Sequence, residues 1–232
     1  MATVLITGSS KGLGKALALV FSKNGYNIIL HGKDEGDKEN LEEIKEQILK
    51  NNVQCDAVSG DLTLNESIEK ISRLALEKDI SILINNAGIN YPESFENLDI
   101  KELEKVINVN LIAPIKLTKK IYPLFLQKKS GTIININSVA GLKVQGEGRT
   151  SYSTSKFGLR AFTEALRNES KKHNIRIIGV YPEGMNTDGY LGKFDKEKCM
   201  KPEEVAEIIY KVCEDYSSSG IDDIKIGRRN LD

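Results

Sequence analysis

Tyr152 and Lys156 are the residues whose types and spacing most directly suggest chemistry. Residues at positions i and i+4 share one face of a helix, so the phenol and the ammonium can address a single site. A free tyrosine has a pKa near ~10, and a fixed cation close by favours the phenolate. The spacing therefore predicts that Lys156 lowers the pKa of Tyr152 and that Tyr152 exchanges protons with a substrate near neutral pH.

Two further polar residues occupy positions where a site would need them. Ser138 follows a strand-like apolar segment, at the sheet edge where open α/β folds bind ligands. Asn110 lies in an apolar helical segment, where an unpaired amide is costly, so we expect it to have a partner. Each also has a plain structural interpretation, with Ser138 as a cap, Asn110 as a helix-kink residue and Tyr152 as an amphipathic core residue.

A glycine-rich loop connects the first strand-like segment to the first helical one. Glycines in this place allow a tight turn and bring backbone N–H groups close to a pyrophosphate at a helix N-terminus. The spacing is Gly-x-x-x-Gly-x-Gly, and an ordinary turn between strand and helix is the alternative. The candidate nucleotide-binding residues of this loop are Gly8, Ser10, Lys11, Gly12, Leu13 and Gly14.

The end of the second strand-like segment bears on which dinucleotide would bind. An acidic residue here commonly binds the adenosine ribose hydroxyls and repels a 2′-phosphate. This sequence has Gly32 and Lys33 instead, and Lys11 adds a second cation. We therefore expect NADP(H) to be preferred, with NAD(H) as the alternative because Asp34 and Glu35 follow directly.

Short β-branched segments alternate with amphipathic helical segments along the whole chain. This alternation predicts an α/β fold, a three-layer, doubly wound parallel sheet of about seven strands with helices on both faces, in one Rossmann-like domain spanning 1–232. In the helical segment that follows Tyr152, the apolar residues expected to face the core are Phe157, Ala161, Phe162 and Ala165. The expected strands lie at 4–6, 27–30, 53–58, 80–84, 132–136, 175–180 and 224–226.

Composition excludes several function classes. The 232 residues contain 33 basic and 33 acidic side chains, so a broad nucleic-acid or anionic-membrane surface is not expected. No apolar run approaches the roughly 20 residues that span a bilayer, and the N-terminus lacks the basic region of a secretion signal. Cys55, Cys199 and Cys213 are widely spaced, which favours free thiols in the cytoplasm over disulfides or a metal site.

Together these residues resemble the short-chain dehydrogenases/reductases, in their compact single-domain branch. The resemblance covers nearly the whole chain, and its elements follow one another in the family's order. The matching elements are Thr7-Gly8-x-x-x-Gly12-x-Gly14, Asp61-Leu62, Asn85-Asn86-Ala87-Gly88, Asn108-Val109-Asn110, Ser138, Tyr152-x-x-x-Lys156, and Pro182 with Thr187.

The resemblance implies an NAD(P)-dependent interconversion of a carbonyl compound and an alcohol. Tyr152 would transfer the proton and Ser138 would hydrogen-bond the substrate oxygen. Lys156 would bind the nicotinamide ribose, and Asn110 would anchor a water in a proton relay. Such proteins usually assemble as homodimers or homotetramers. The further cofactor contacts that the resemblance implies are Asp61, Leu62, Asn85, Ala87, Gly88, Pro182, Gly184 and Thr187.

The sequence also departs from the family pattern. Glu183 stands where a glycine is common, and we expect its carboxylate to face solvent, the alternative being that it biases the pocket against anions. Residues 188–201 form a short candidate substrate lid. The C-terminus lacks the Gly-Gly ending of the acyl-carrier-protein reductases, which favours a small-molecule carbonyl substrate. The alternatives are a 3-oxoacyl-[acyl-carrier-protein] reductase-like activity, a non-catalytic dinucleotide-binding regulator, and dehydration or epimerisation on the same fold.

Overall fold

The computed structural model describes residues 1–144, 146–185, 199–213 and 220–228. Its seven strands are β1 (Thr3–Ile6), β2 (Asn27–Gly32), β3 (Cys55–Ser59), β4 (Ile82–Asn85), β5 (Gly131–Ile136), β6 (Ile175–Pro182) and β7 (Asp223–Ile226). The α-helices of this part are α1 (Gly12–Lys23), α2 (Lys38–Leu49), α3 (Asn65–Glu77), α4 (Ile100–Ile107), α5 (Ala113–Lys128), α6 (Thr150–Ser170) and α7 (Pro202–Cys213).

The strands form one parallel sheet in the order β3-β2-β1-β4-β5-β6-β7, which confirms the predicted fold class. Some strand ends differ from the prediction. Ile80 was expected to begin β4, but its N–H donates to the Ala75 carbonyl and it closes the end of α3, after Asp79 with a φ of 48°. The strand itself begins at Ile82 because that short closing turn comes first.

Two apolar cores lie on opposite faces of the sheet. One core includes apolar side chains of α1, α2 and α7, and the other includes those of α3 and α5. The apolar side chains of β1, β4 and β5 point alternately into each core, as expected for strands covered on both faces. Helices on both faces therefore leave the carboxyl edge of the sheet as the place where loops can form a site.

Helix α6 buries a different face from the one predicted. Phe157 is 39% exposed, and Ala161 and Ala165 are also exposed. Its buried residues are mainly polar, namely Ser151, Ser153, Ser155, Lys156, Leu159, Thr163 and Ser170. The prediction from apolar periodicity was wrong because these polar groups have interior partners: Thr163 Oγ1, for example, accepts a 2.9 Å hydrogen bond from Asn135 Nδ2.

The connection between α4 and α5 is a π-helical turn at Asn108–Ile112, in which the Ala113 N–H donates to the Asn108 carbonyl. Pro114 has no N–H and cannot form the usual i+4 hydrogen bond to the carbonyl of Asn110. Such π turns occur often at functional sites. In the part of the chain that the structure describes, no helix is both long and apolar enough to cross a membrane.

Candidate active site

A cleft of about 1140 Å³ opens at the carboxyl edge of the sheet. It lies where the strand order reverses between β1 and β4, the position at which open α/β sheets bind ligands. The cleft runs from the glycine loop after β1 to the start of α6. Sequence-predicted residues that line it are Gly8, Ser10, Lys11, Gly12, Leu13, Gly14, Lys33, Asp61, Leu62, Ala87, Gly88, Ser138, Tyr152, Lys156, Pro182 and Gly184.

The glycine loop needs glycine at its first and last positions. Gly8 has a φ of +63°, and a Cβ on it would lie 2.9 Å from the Cα of Ala87. A Cβ on Gly14 would collide with the Gly8 carbonyl and lie 2.7 Å from Asn86 Nδ2. The loop is therefore packed directly against the end of β4, with no room for a side chain in between.

Hydrogen bonds of Thr7 and Asn86 hold the glycine loop against the end of β4. Neither residue was among the predicted cofactor contacts. Thr7 Oγ1 accepts hydrogen bonds of 3.0 Å from the N–H groups of Asn86 and Ala87. Asn86 Nδ2 donates to the carbonyls of Thr7 and Gly8 at 2.9 and 3.0 Å. The signal was present in the sequence, since Asn86 stands inside the predicted segment 85–88.

His31 is a second residue that the sequence interpretation passed over. Its Nδ1 accepts a 3.0 Å hydrogen bond from the Gly8 N–H, and its Nε2 lies 2.9 Å from the Gly60 carbonyl. The side chain is buried, and burial lowers its pKa against the opposing effects of the Gly60 hydrogen bond, Asp37 and Asp61. A backbone N–H can only donate, so His31 is neutral with its proton on Nε2.

The part of the cleft expected to bind a 2′-phosphate contains both positively and negatively charged side chains. Lys33 Nζ lies 3.8 Å from carboxylate oxygens of both Asp34 and Asp61. The Lys33 N–H donates to Asp37 Oδ2 at 2.6 Å. Gly32 does not line the cleft, because it packs beneath the start of α2, where a Cβ would lie 2.7 Å from that of Asp37.

Asn85 also lies outside the cleft, contrary to the expected cofactor contact. Its side chain is buried in the interior, where Nδ2 donates to Thr118 Oγ1 at 3.2 Å and to Asn135 Oδ1 at 2.8 Å. At the end of a parallel strand, successive side chains point to opposite faces, and here Asn86 takes the cleft side. Thr187 and residues 188–198 of the predicted lid lie outside the described residues.

Tyr152, Ser138 and Lys156 meet at the inner end of the cleft. The Tyr152 hydroxyl hydrogen-bonds the Ser138 side chain, and Ser138 Oγ accepts a 3.1 Å hydrogen bond from the Ala140 N–H. Lys156 is 3% exposed, and its Nζ donates to the Ile136 carbonyl at 2.9 Å. This Nζ lies 5.7 Å from the centroid of the Tyr152 ring.

The expectation that Lys156 lowers the pKa of Tyr152 is wrong for this geometry. Burial raises the pKa of Tyr152, and the effects that oppose burial are the Ser138 hydrogen bond and the charge of Arg149. Lys156 is not among the influences on the Tyr152 pKa, and its ammonium donates to the Ile136 carbonyl. Burial also lowers the pKa of Lys156 from 10.5 to about 8.

Asn110 has the partners that the sequence predicted. Its Oδ1 accepts from the Ile89 N–H and its Nδ2 donates to the Ile89 carbonyl, both at 2.8 Å. Nδ2 also lies 3.0 Å from Ser155 Oγ on α6. The side chain thus joins the π turn to α6 and to the segment after β4, while the Asn110 backbone carbonyl lacks its usual i+4 donor because that position is Pro114.

Glu183 neither faces solvent freely nor places an unpaired charge in the cleft. Its Oε2 accepts a 3.0 Å hydrogen bond from the Arg228 N–H. Its carboxylate lies 3.9 Å from Lys225 Nζ and 3.7 Å from Arg228 Nε. The expected solvent-facing role was wrong because the chain after β7 passes close enough to bind and neutralise this carboxylate.

Residues 2–198 match the family described as short chain dehydrogenase. The chain belongs to this family. It is accordingly an oxidoreductase, an NAD(P)-dependent dehydrogenase or reductase. One relative, the 3-oxoacyl-[acyl-carrier-protein] reductase FabG of Thermotoga maritima, is 30% identical over 92% of this chain and 91% of its own length.

Solved structures agree with the fold. The alcohol dehydrogenase of Thermococcus sibiricus, complexed with 5-hydroxy-NADP, has a TM-score of 0.89 and 24% identity, covering 100% of this chain and 98% of its own. A short-chain dehydrogenase from Sphingobium yanoikuyae in complex with NADPH has a TM-score of 0.83 and 27% identity, covering 91% and 84%. The short-chain dehydrogenase therefore has the architecture of its solved relatives from one end of the sheet to the other.

Proposed function

We propose that this short-chain dehydrogenase reduces a small carbonyl compound with NADPH, or oxidises the matching alcohol. One observation carries the proposal: the Tyr152 and Ser138 hydroxyls hydrogen-bond each other in the cleft that begins at the glycine loop. Two hydroxyls at one point can both hydrogen-bond one substrate oxygen. Tyr152 is the acid–base group, Ser138 polarises the carbonyl, and Lys156 binds the nicotinamide ribose.

The residues present suit a dinucleotide. The cleft passes from the N-terminus of α1, a favourable site for a pyrophosphate, to the Tyr152 hydroxyl. Gly8 and Gly14 allow a close approach of backbone to ligand, and a bound NADP(H) supplies the hydride. The other contacts that we propose are Ser10, Lys11, Gly12, Leu13, Asp61, Leu62, Ala87, Gly88, Pro182, Gly184 and Thr187.

The raised pKa of Tyr152 suits the reductive direction. A phenol that remains protonated at neutral pH can donate its proton to the oxygen that gains negative charge when hydride arrives at the carbonyl carbon. Ser138, held by the Ala140 N–H, is a preorganised donor to the same oxygen. Burial thus prepares Tyr152 to act as an acid, whereas the sequence suggested a readily formed phenolate.

We propose NADP(H) as the preferred cofactor. Lys11 is exposed at the cleft, and Lys33 stands at the corner where a 2′-phosphate would lie. The relative from Sphingobium yanoikuyae, solved with NADPH, supports this preference. The Lys33 ammonium lies close to the carboxylates of Asp34 and Asp61. The preference for NADP(H) over NAD(H) therefore requires this ammonium to move from the two carboxylates to the 2′-phosphate.

A second candidate is the reduction of a 3-oxoacyl thioester. The 30% identity to the Thermotoga maritima reductase over 92% of this chain favours it, although the C-terminal sequence suggested otherwise. Both candidates use the same acid and the same hydride donor, so they differ only in the substrate that the cleft accepts.

We also propose a homodimer or homotetramer that covers the outer face of α6. Phe157, Ala161 and Ala165 form an apolar exposed row on this helix, and a second copy would remove it from water. A cytoplasmic location is proposed from Cys55 and Cys213, two buried cysteines that form no disulfide among the described residues.

The test of the function is a substrate panel followed at the absorbance of the reduced nicotinamide. It contains neutral ketones, aldehydes, diketones, 3-oxo acids and 3-oxoacyl thioesters, each with NADPH and with NADH. Turnover of small carbonyl compounds above thioesters is expected. Preference for thioesters selects the second candidate. A protein that binds NADPH and reduces none of these contradicts both.

A further inference from the structure

Arg149 stands directly before α6, one helical turn ahead of Tyr152. It is half-buried and lines the cleft that contains Tyr152 and Ser138. It also lines an adjoining cleft of about 910 Å³, which extends outward past Phe95 and Phe157. Arg149 therefore lies between the catalytic hydroxyls and this outer cleft.

The guanidinium of Arg149 has no hydrogen-bond or ion-pair partner in the part of the chain that the structure describes. The other half-buried arginines of that part are all paired. Arg160 bonds Glu164 at 2.7 Å, Arg167 bonds Asp223 at 2.7 Å, Arg176 bonds the Val212 carbonyl at 2.9 Å, and Arg228 lies 3.7 Å from Glu183. Partly removing a charge from water without a partner costs free energy, which a bound anion would offset.

Ser153 provides an independent observation at the same place. Its side chain is 4% exposed, and its Oγ has no hydrogen-bond partner in the described structure. Ser153 lines the same two clefts as Arg149, and its N–H donates to the Arg149 carbonyl at 2.8 Å. A buried hydroxyl without a partner, next to an unpaired guanidinium, forms a set of donors that lacks its acceptor.

The carboxylates near this place do not supply that acceptor. Glu183 is bound by the Arg228 N–H and lies near Lys225, so its charge is neutralised. Glu96 and Glu147 line the outer cleft, and neither forms an ion pair with Arg149 among the described contacts. The charge left beside the catalytic hydroxyls is positive.

We propose that Arg149 and Ser153 bind an anionic group, a carboxylate or a phosphate, on the carbonyl substrate of this enzyme. The inference rests on the proposed function and adds the substrate class to it. Arg149 lies three residues before Tyr152 and four before Ser153, and residues three or four apart on a helix have Cβ atoms about 5–6 Å apart. The anion therefore lies a few bonds from the carbonyl carbon, as in a short oxo acid. Bound there, it directs the carbonyl oxygen toward Tyr152 and Ser138.

The experiment compares matched pairs of substrates that differ in charge. The carboxylate arm uses 3-oxobutanoate and its methyl ester, and the phosphate arm uses dihydroxyacetone phosphate and dihydroxyacetone. For wild type we expect a higher kcat/KM for the anionic member of at least one pair. Arg149→Ala should lower the ratio of anionic to neutral kcat/KM by about tenfold to a hundredfold, the range for a hydrogen bond to a charged group. Because each pair is compared within one variant, an effect of Arg149 on Tyr152 cancels.

Two further variants sharpen the result. Ser153→Ala should lower the same ratio by a smaller factor, since it removes one neutral donor. Lys143→Ala, which removes an exposed cation at the rim of the cleft, should leave the ratio unchanged. An Arg149→Ala ratio equal to that of wild type, or an equal fall in Lys143→Ala, overturns the proposal.

A binding measurement separates this proposal from the proposed function. Unreactive 3-hydroxybutanoate with NADPH, and glycerol 3-phosphate with NADPH, should raise the unfolding temperature of wild type but not of Arg149→Ala. Such a difference supports the anion site even if no carbonyl compound is reduced, a result that would contradict only the proposed function. Equal stabilisation of both proteins by both anions, or none, overturns the anion site while leaving reduction of neutral ketones intact.

Discussion

His31 Nδ1 accepts a 3.0 Å hydrogen bond from the backbone N–H of Gly8. The bond links the end of β2 to the first glycine of the nucleotide loop, and it exists only while His31 is neutral. Through this contact, a side chain that need not touch the nucleotide controls the position of the loop.

The His31–Gly8 bond predicts an acid limit on cofactor affinity and on stability. Burial lowers the pKa of His31 below its ordinary 6.5, so the unfolded chain takes up this proton first as pH falls. The contribution is fully present above pH 6.5 and is lost as pH drops below that value. NADPH affinity, measured by calorimetry between pH 5 and 8 (roughly the range over which a histidine titrates), should weaken on the acid side.

The control variants use the two histidines of the chain. His31→Asn keeps an acceptor near the Nδ1 position but cannot titrate, so its NADPH affinity should depend less on pH. His173→Asn should follow wild type. A profile of His31→Asn that matches wild type would show that another group causes the acid loss.

Tyr152→Phe should reduce turnover by about 10²- to 10⁴-fold, the range for loss of a positioned acid. The ring remains, so NADPH affinity should stay close to that of wild type. Steady-state rates on any substrate of the panel, together with calorimetric binding, check both expectations. Tyr122→Phe is the matched control, because its hydroxyl bonds Ser170 at 2.9 Å away from the cleft. Retained turnover in Tyr152→Phe would exclude Tyr152 as the proton donor.

Lys156→Met should stabilise the protein while impairing its activity. Lowering the pKa of Lys156 from 10.5 to about 8 corresponds to about 3 kcal/mol of destabilisation at pH 7. Losing the Ile136 hydrogen bond offsets about 1 kcal/mol, so a gain of about 2 kcal/mol in the free energy of unfolding is expected. Since the penalty is complete below pH 8 and released as pH rises to 10.5, the gain should shrink above pH 8 and be gone before pH 10.5, where the lost hydrogen bond leaves a loss of about 1 kcal/mol.

Urea unfolding at both pH values measures the effect of Lys156→Met. The control Lys120→Met removes an exposed lysine paired with Glu69, for which a change within about 1 kcal/mol is expected. A loss of stability at pH 7 in Lys156→Met would mean that the hydrogen bond to Ile136 outweighs the cost of burying the charge.

Lys33→Ala should weaken binding of NADPH by about tenfold and that of NADH little, because one charge-assisted contact to the 2′-phosphate is lost. Dissociation constants of both cofactors check this. Lys38→Ala, which removes a neighbouring lysine paired with Glu35, should change neither. Equal effects on both cofactors would contradict the role proposed for Lys33.

Phe157→Arg should shift the protein toward the monomer, because a charge would then lie in the apolar row on α6. Light scattering coupled to size-exclusion chromatography reports the mass. Leu49→Arg alters an apolar residue of similar exposure on α2 and should not change the assembly. A mass unaffected by Phe157→Arg would place any interface elsewhere.

Local sequence was sufficient to predict those parts of the structure in which a motif lies within, or directly beside, a single strand or helix. The segment that contains Gly8, Gly12 and Gly14 connects a short strand to a helix. The spacing of these glycines alone predicts a loop lined by backbone groups. The alternation of strands and helices likewise predicts the parallel sheet, because crossover chirality and two-sided burial leave few other arrangements. Ser138 and Tyr152 were predicted as site residues because Ser138 follows a strand and Tyr152 lies one helical turn before Lys156.

Only the tertiary structure decided which polar groups meet. Residues that are neighbours in sequence can have different partners: Asn86 hydrogen-bonds the glycine loop, whereas Asn85 is buried against Thr118. Helix α6 buries its polar face because that face has hydrogen-bond partners in the interior. The pKa of Tyr152 depends on burial, on Ser138 and on Arg149, and the pairing of Glu183 depends on the chain that follows β7. Sequence spacing carries the periodicity of single elements, whereas electrostatics and hydrogen bonding depend on distances between elements, which exist only once the chain is folded.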